Sequence, residues 1–310
     1  MDGRISNFGQ VASLRRYTLS EGKEKDIEVI DCDNGKIRFL LNVSKACDMM
    51  QLYHEGQNMS FISKNGFTKR ETPFLNRFEG GMLYTCGLDS VGGRDGYELH
   101  GTLHNIPARI TRAECDENGI ILEATIQDTA LFGKNLVLKR RIFSAIGADS
   151  VTLEDTLVNE GYKDEEYCLL YHINVGYPML DVGAKVIANV QKCEARTAKA
   201  EQNKATAYEI GESIPGQEET CYFLTLKTPE ISLVNEKIGK KFTVSYSGNT
   251  LPHFVEWKSM ASGDYALGFE PCTTELDDRF SYKIIKPNES IVFETSITVR
   301  KCNACGSPLG

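Results

Sequence analysis

The sequence predicts a chain built almost wholly of β-strands. Three observations carry that expectation. Apolar and polar residues tend to alternate with a period of two, glycine- and asparagine-centred turns recur between the alternating runs, and few windows show the period of an amphipathic helix. In order along the chain, residues 26–29 and 36–42 read as strands on either side of the Asp33-Asn34-Gly35 turn. Residues 43–54 are the clearest helix candidate, although short. Asn65-Gly66 and Glu117-Asn118-Gly119 mark further turns, and 120–127 alternates as a strand. The most polar stretch, 194–219, contains Lys199, Glu201, Gln202 and Lys204 and closes on Pro215-Gly216. Strand patterning resumes at once over 221–227, so this stretch is expected to leave and rejoin one sheet rather than link two domains. After Ser247-Gly248-Asn249 and Lys286-Pro287-Asn288, residues up to 299 return to β-branched alternation. A single domain over 1–310 is expected, with a short polar tail from about 301.

Composition narrows the function. An apolar fraction of 41%, with 14 Phe and 13 Tyr, is enough for a sizeable core. The net charge of -8 is spread along the chain, and no basic stripe is present that would suit nucleic acid. Residues 1–30 mix Arg4, Arg15, Arg16, Glu21, Lys23, Glu24 and Lys25 without a long apolar run. A cytoplasmic protein that does not engage membranes is therefore expected. Ten cysteines are scattered through the chain, several within apolar runs, and in a reducing compartment they read as small buried hydrophobes. Cys302-x-x-Cys305 has the spacing of a metal knuckle but lacks a second ligand pair, so an incidental tail is expected rather than a metal site.

Three segments concentrate chemistry-bearing residues. The first holds Asn76-Arg77, Glu79-Gly80-Gly81 and then Glu98-Leu99-His100-Gly101-Thr102-Leu103-His104. Glycines and a β context argue against a helical histidine pair, and a strand would put His100 and His104 on one face. The second, Tyr171-His172-Ile173-Asn174-Val175-Gly176-Tyr177-Pro178, aligns Leu170, His172 and Asn174 on one face if extended. The third, Gly268-Phe269-Glu270-Pro271, follows an apolar run in which a buried carboxylate needs either a partner or a task.

Taken together, the Asn-Arg, Leu-His-Gly, Tyr-His-x-Asn-x-Gly-Tyr-Pro and Gly-Phe-Glu-Pro blocks resemble the aldose 1-epimerase, or galactose mutarotase-like, superfamily. The blocks run in order over most of the chain. The Cys47-Asp48-Met49 segment is similar to an incompletely characterised branch of those proteins. The resemblance implies a β-supersandwich of large twisted antiparallel sheets, all-β, with a sugar held on a concave face. It also implies that His172 acts as general acid and Glu270 as general base and that His100 and Arg77 hold the ring oxygen and hydroxyls; from their place beside these residues, His104 and Asn174 are further substrate-binding candidates. An aspartate that grips hydroxyls in these proteins has no clear match here. Only Asp181 and Asp264 lie between His172 and Glu270, and Glu219 is taken as the replacement.

A histidine with an ordinary pKa of about 6.5 and a carboxylate suit mutarotation, which moves one proton off the anomeric hydroxyl and another onto the ring oxygen without a metal or organic cofactor. A monosaccharide or small carbohydrate is the expected partner, and a homodimer is compatible with the sequence. Two other readings stay open. One is another isomerase, a lyase or a hydrolase on the same fold, for which Glu79 or Glu98 would pair with Glu270; the other is a carbohydrate-binding protein without chemistry. Trp257 and Tyr177 offer faces for stacking on a sugar, although a single aromatic in β sequence usually belongs to the core.

Overall fold

The computed structural model describes residues 3–302. Among them, two antiparallel sheets account for nearly all regular structure. The first has five strands in sequential order: β1 (Ser13–Thr18), β2 (Glu28–Asp33), β3 (Ile37–Asn42), β4 (Asp48–His54) and β5 (Gln57–Asn58). The second has thirteen strands. Its first members along the chain are β6 (Leu83–Leu88), β7 (Arg109–Asp116), β8 (Gly119–Thr129), β9 (Asn135–Ser144), β10 (Ser150–Asn159) and β11 (Glu165–Val175). They are followed by β12 (Lys185–Ala195), β13 (Thr220–Asn235), β14 (Lys240–Tyr246), β15 (His253–Ala261), β16 (Asp264–Cys272), β17 (Lys283–Ile285) and β18 (Ser290–Lys301). The spatial order runs β17-β11-β16-β15-β13-β14-β18-β10-β9-β8-β7, with β12 paired to β13 and β6 paired to β11. The only helices of α type among the described residues are α1 (Phe74–Arg77) and α2 (Ala198–Gln202). The all-β expectation therefore holds.

The expected helix over 43–54 is instead a turn leading into β4. Its apolar residues are not confined to one helical stripe, because β4 is buried on both faces: Met49 packs in the main core while Met50 belongs to a separate cluster with Ile27, Val29 and Phe67. A short apolar run buried on both faces carries no diagnostic period. The polar stretch does leave and rejoin the sheet, running from the end of β12 through α2 to the start of β13. Lys258 fastens it, its ammonium donating to the carbonyls of Thr206, Ala207 and Glu209 at 3.0, 2.6 and 3.1 Å. Chain continues as strand to Lys301, and Cys305 lies outside the described residues.

The two sheets are joined by a buried ionic cluster. Arg140 of β9, fully enclosed, donates to both oxygens of Asp155 on β10, to Asp48 on β4, to the Ala46 carbonyl and to the Thr85 hydroxyl on β6. Tyr171 of β11 donates its hydroxyl to Asp155 at 2.8 Å. Burial alone would raise the Asp48 carboxyl, but the charge of Arg140 and the contact with His104 outweigh it and hold Asp48 below the usual carboxylate range.

Candidate active site

Sheet register builds the floor of a cleft. Between β11 and β16, Leu170 faces Cys272 and Ile173 faces Phe269, which brings His172 level with Glu270. Between β15 and β16, Trp257 faces Gly268, and between β13 and β15, Cys221 faces Trp257. Directly opposed residues of antiparallel strands project to the same side, so His172, Glu270, Trp257 and Cys221 share one face although they are far apart in sequence. Around them on the same face is a small apolar cluster that includes Leu170, Phe223, Val255 and four cysteines, Cys86, Cys168, Cys221 and Cys272. These thiols are free and buried. Burial raises the pKa of each, so they are neutral packing groups at physiological pH.

Above this floor is a cavity of about 680 Å³. Its aromatic wall is formed by Phe61, Phe74, Phe78 and Trp257, and its polar groups include His100, His172, Arg196, Glu219 and Glu270. His172 Nε2 lies 3.2 Å from Glu270 Oε1, both side chains being nearly enclosed. Glu270 Oε1 makes no aligned hydrogen bond with any described group. A buried carboxyl oxygen left in this state calls for an explanation, and Glu270 lines the cavity. Burial pushes the Glu270 carboxyl well above its ordinary range; Arg196 draws it down and Glu219 pushes it up. Burial also pulls the His172 imidazole well below its ordinary value, with His100 acting in the same direction and Asn174 against it. Burial thus disfavours the charged form of both members of the pair.

His100 enters the cleft from a loop rather than a strand. Its φ of 64° is left-handed, a conformation of modest cost for a residue with a side chain. Its Nδ1 accepts the Gly92 N–H at 3.4 Å, which leaves the ring proton on Nε2. Burial, with Arg196 adding, lowers its pKa to about 4, so the ring is a neutral donor at physiological pH. It meets the His172 ring edge-on at 5.6 Å between centroids.

Not every residue expected at the site reaches it. His104 is in a 3-10 turn, Leu103–Asn105, not on a strand shared with His100. It is buried with Nδ1 2.6 Å from Asp48 and Nε2 3.4 Å from Glu79, and its ring stacks on Tyr84. These contacts tie it to the ionic cluster, and it is absent from the cavity lining. Arg77 is buried behind the cavity wall, donating to the Thr72 carbonyl and lying 2.9 Å from Glu98. Asn174 is enclosed, and its amide donates to the carbonyls of Gly80 and His172. Glu79 and Glu98 are likewise absent from the cavity lining. Tyr177 is largely exposed and stands apart from the cleft.

Conversely, the structure brings in residues that patterning did not select. Trp257 lines the cleft rather than the core, and its indole N–H donates to Glu219 at 2.7 Å. Arg196 and Gln217 reach the cavity from the two ends of the polar stretch, and Asp264 stands at the wall paired to Lys64 at 2.7 Å. Gly268 packs closely against the pair. A Cβ at this position would sit 2.5 Å from Glu270 Oε1 and 3.1 Å from His172 Cε1. Gly268→Ala is expected to displace the carboxyl from the imidazole, seen as a change in the ¹⁵N shifts of His172. Unchanged shifts would show that the carboxyl has room to spare.

A family model described as a domain of unknown function, DUF4432, matches residues 24–296. No protein of curated function matches the sequence. Among solved structures, a candidate aldose 1-epimerase from Klebsiella pneumoniae is 18% identical with a TM-score of 0.84, over 93% of this chain and 83% of its own. A galactose mutarotase-like protein from Clostridium acetobutylicum is 14% identical with a TM-score of 0.71, over 94% and 99%. Another galactose mutarotase-like protein, from Lactobacillus casei, is 12% identical with a TM-score of 0.62, over 88% and 100%. At these identities the likeness establishes the fold, which is the one that the sequence blocks implied.

Proposed function

Given that the chain belongs to the DUF4432 family and has the galactose mutarotase-like fold, we propose that it interconverts the anomers of a small reducing sugar, using His172 and Glu270. The observation that carries this reading is the 3.2 Å approach of the two groups at the floor of a sugar-sized cleft. The anomeric hydroxyl and the ring oxygen are bonded to one carbon, so the groups that exchange protons with them must themselves be neighbours.

Burial favours the uncharged form of both groups, and a starting direction follows from that form. His172 takes the proton of the anomeric hydroxyl, Glu270 gives its proton to the ring oxygen, and the C1–ring oxygen bond breaks as the carbonyl forms. The pair is now imidazolium and carboxylate. After rotation about C1–C2, the ring oxygen returns its proton to Glu270, the carbonyl oxygen receives one from His172, and the ring closes on the other face. Opening therefore begins with Glu270 as acid and His172 as base, the reverse of the roles implied by resemblance, and closing restores them. His100, a neutral donor beside the pair, is suited to a sugar oxygen. Trp257 and Phe78 supply apolar faces for the ring's C–H side.

One-dimensional NMR exchange spectroscopy on aldoses, deoxysugars and ketoses tests the reading. The protein is expected to produce saturation transfer between anomers of at least one sugar well above the spontaneous rate. Binding without any acceleration would instead make it a carbohydrate-binding protein. A cytoplasmic location remains part of the proposal. Among the described residues, no helix is long and apolar enough to cross a membrane.

A further inference from the structure

Arg196 is the first residue after β12, where its backbone N–H donates to the Cys221 carbonyl at 2.9 Å. Its side chain lines the cleft, and Nε and Nη2 donate to the two carboxylate oxygens of Asp277 at 2.6 and 2.7 Å. A two-pronged bond of this kind fixes the plane of the guanidinium and leaves the two N–H groups of Nη1 uncommitted to Asp277. Asp277 is itself held at a φ of 58°, a left-handed conformation that a non-glycine residue adopts only when its surroundings require it. Arg77, by contrast, does not line the cavity: it donates from Nη1 to the Thr72 carbonyl and is ion-paired with Glu98, its buried Nε and Nη2 making no hydrogen bond among the described residues.

We infer that Arg196, aimed by Asp277, is the arginine that anchors the sugar in this cleft, the role that the sequence blocks suggested for Arg77. The inference rests on the mutarotase reading for its kinetic test but not for its binding test. Arg196 also acts on the proton pair. The groups facing Glu270 are His172 from β11, Cys86 from β6, Cys221 from β13, Cys272 on its own strand, and Arg196 and Glu219 from the ends of the polar stretch. Arg196 is the cation among them and opposes the effect of burial on the carboxyl.

The experiment compares Arg196→Gln, Arg196→Lys and Asp277→Asn with the natural protein, using the sugar that shows the fastest exchange. Arg196→Gln is expected to raise KM by about tenfold or more with kcat within about threefold, as for loss of a charged hydrogen-bond donor that binds ground and transition states alike. Loss of the cation further raises the Glu270 pKa, so the alkaline limb of the rate profile should move to higher pH. Lysine should restore the position of that limb but only part of the affinity, because it lacks the planar fork. Asp277→Asn should weaken binding to an intermediate extent by loosening the aim. Should Arg196→Gln fail to fold, Arg196→Lys and Asp277→Asn carry the same test. An unchanged KM together with an unmoved alkaline limb would overturn the inference. A natural protein that binds a sugar without exchanging its anomers would overturn only the reaction, and the affinities of the same variants for that sugar would still decide the role of Arg196. If no sugar binds, both fail.

Discussion

Replacing Glu270 with glutamine is expected to slow anomer exchange by about a hundred- to ten-thousand-fold while the fold stands. Glutamine keeps the volume and planarity of the carboxyl but cannot release a proton to the ring oxygen. His172→Asn should cost about the same, because ring opening needs one proton removed and another supplied together, and losing either group stops the exchange. The double variant should then be little worse than either single one, the non-additivity expected of residues that act as a unit. The pH dependence follows from the directions of the shifts. Protonation of His172 at low pH leaves no base, and ionisation of Glu270 at high pH leaves no acid. Burial moves the first event down and the second up, so a plateau should span neutrality. Glu270→Gln is also expected to leave stability unchanged or slightly improved, since it removes a buried ionisable group. Exchange rates near normal in both single variants, with intact circular dichroism, would reject the assignment.

The largest expected effect on stability lies elsewhere. Arg140→Leu should lower unfolding free energy by about 3–5 kcal/mol, because it leaves Asp48 and Asp155 buried without their counter-charge. That is a large part of the roughly 5–15 kcal/mol that holds a typical domain folded. Adding Asp155→Asn should recover some of the loss by removing one of the stranded charges. Asp48 gives the acid side of the same argument. Its folded pKa is depressed, so its contribution is present above the unfolded carboxylate value and is lost as pH falls through the folded one. Denaturant titration at neutral and acid pH checks both statements, and a loss below about 1 kcal/mol would show that the cluster relaxes or hydrates when opened.

What could be read from sequence follows the range of each signal. Alternation is local, so β11 and the side taken by His172 were visible in the residues themselves. The pairing of His172 with Glu270 depends on register between strands separated by a long stretch of chain, and only the resemblance to known proteins pointed to it. Arg77 and Asn174 matched blocks of that resemblance and His104 lay four residues beyond the histidine of one, yet a block does not say whether a side chain faces the cleft or packs away from it. Arg196 was hidden for the opposite reason. It opens a polar stretch of ordinary surface composition, and nothing in the neighbouring residues announces that Asp277, from a distant turn, holds its side chain against the cavity. Trp257 was misleading in sequence, since the flanking Glu256 and Lys258 read as solvent-facing and would put the indole in the core, whereas both are buried and the indole faces the cleft.

The Lys258 staple has an evolutionary corollary. The proton-transfer floor is woven into β11, β15 and β16, whereas Arg196, Gln217 and Glu219 sit at the roots of a detour whose middle is pinned by one ammonium to three carbonyls. Main-chain carbonyls are present whatever side chains the detour bears, so its residues can drift without undoing the pin. On the proposed reading, the detour is thereby the part of the cleft whose side chains can change with least disturbance to the strands that carry His172 and Glu270.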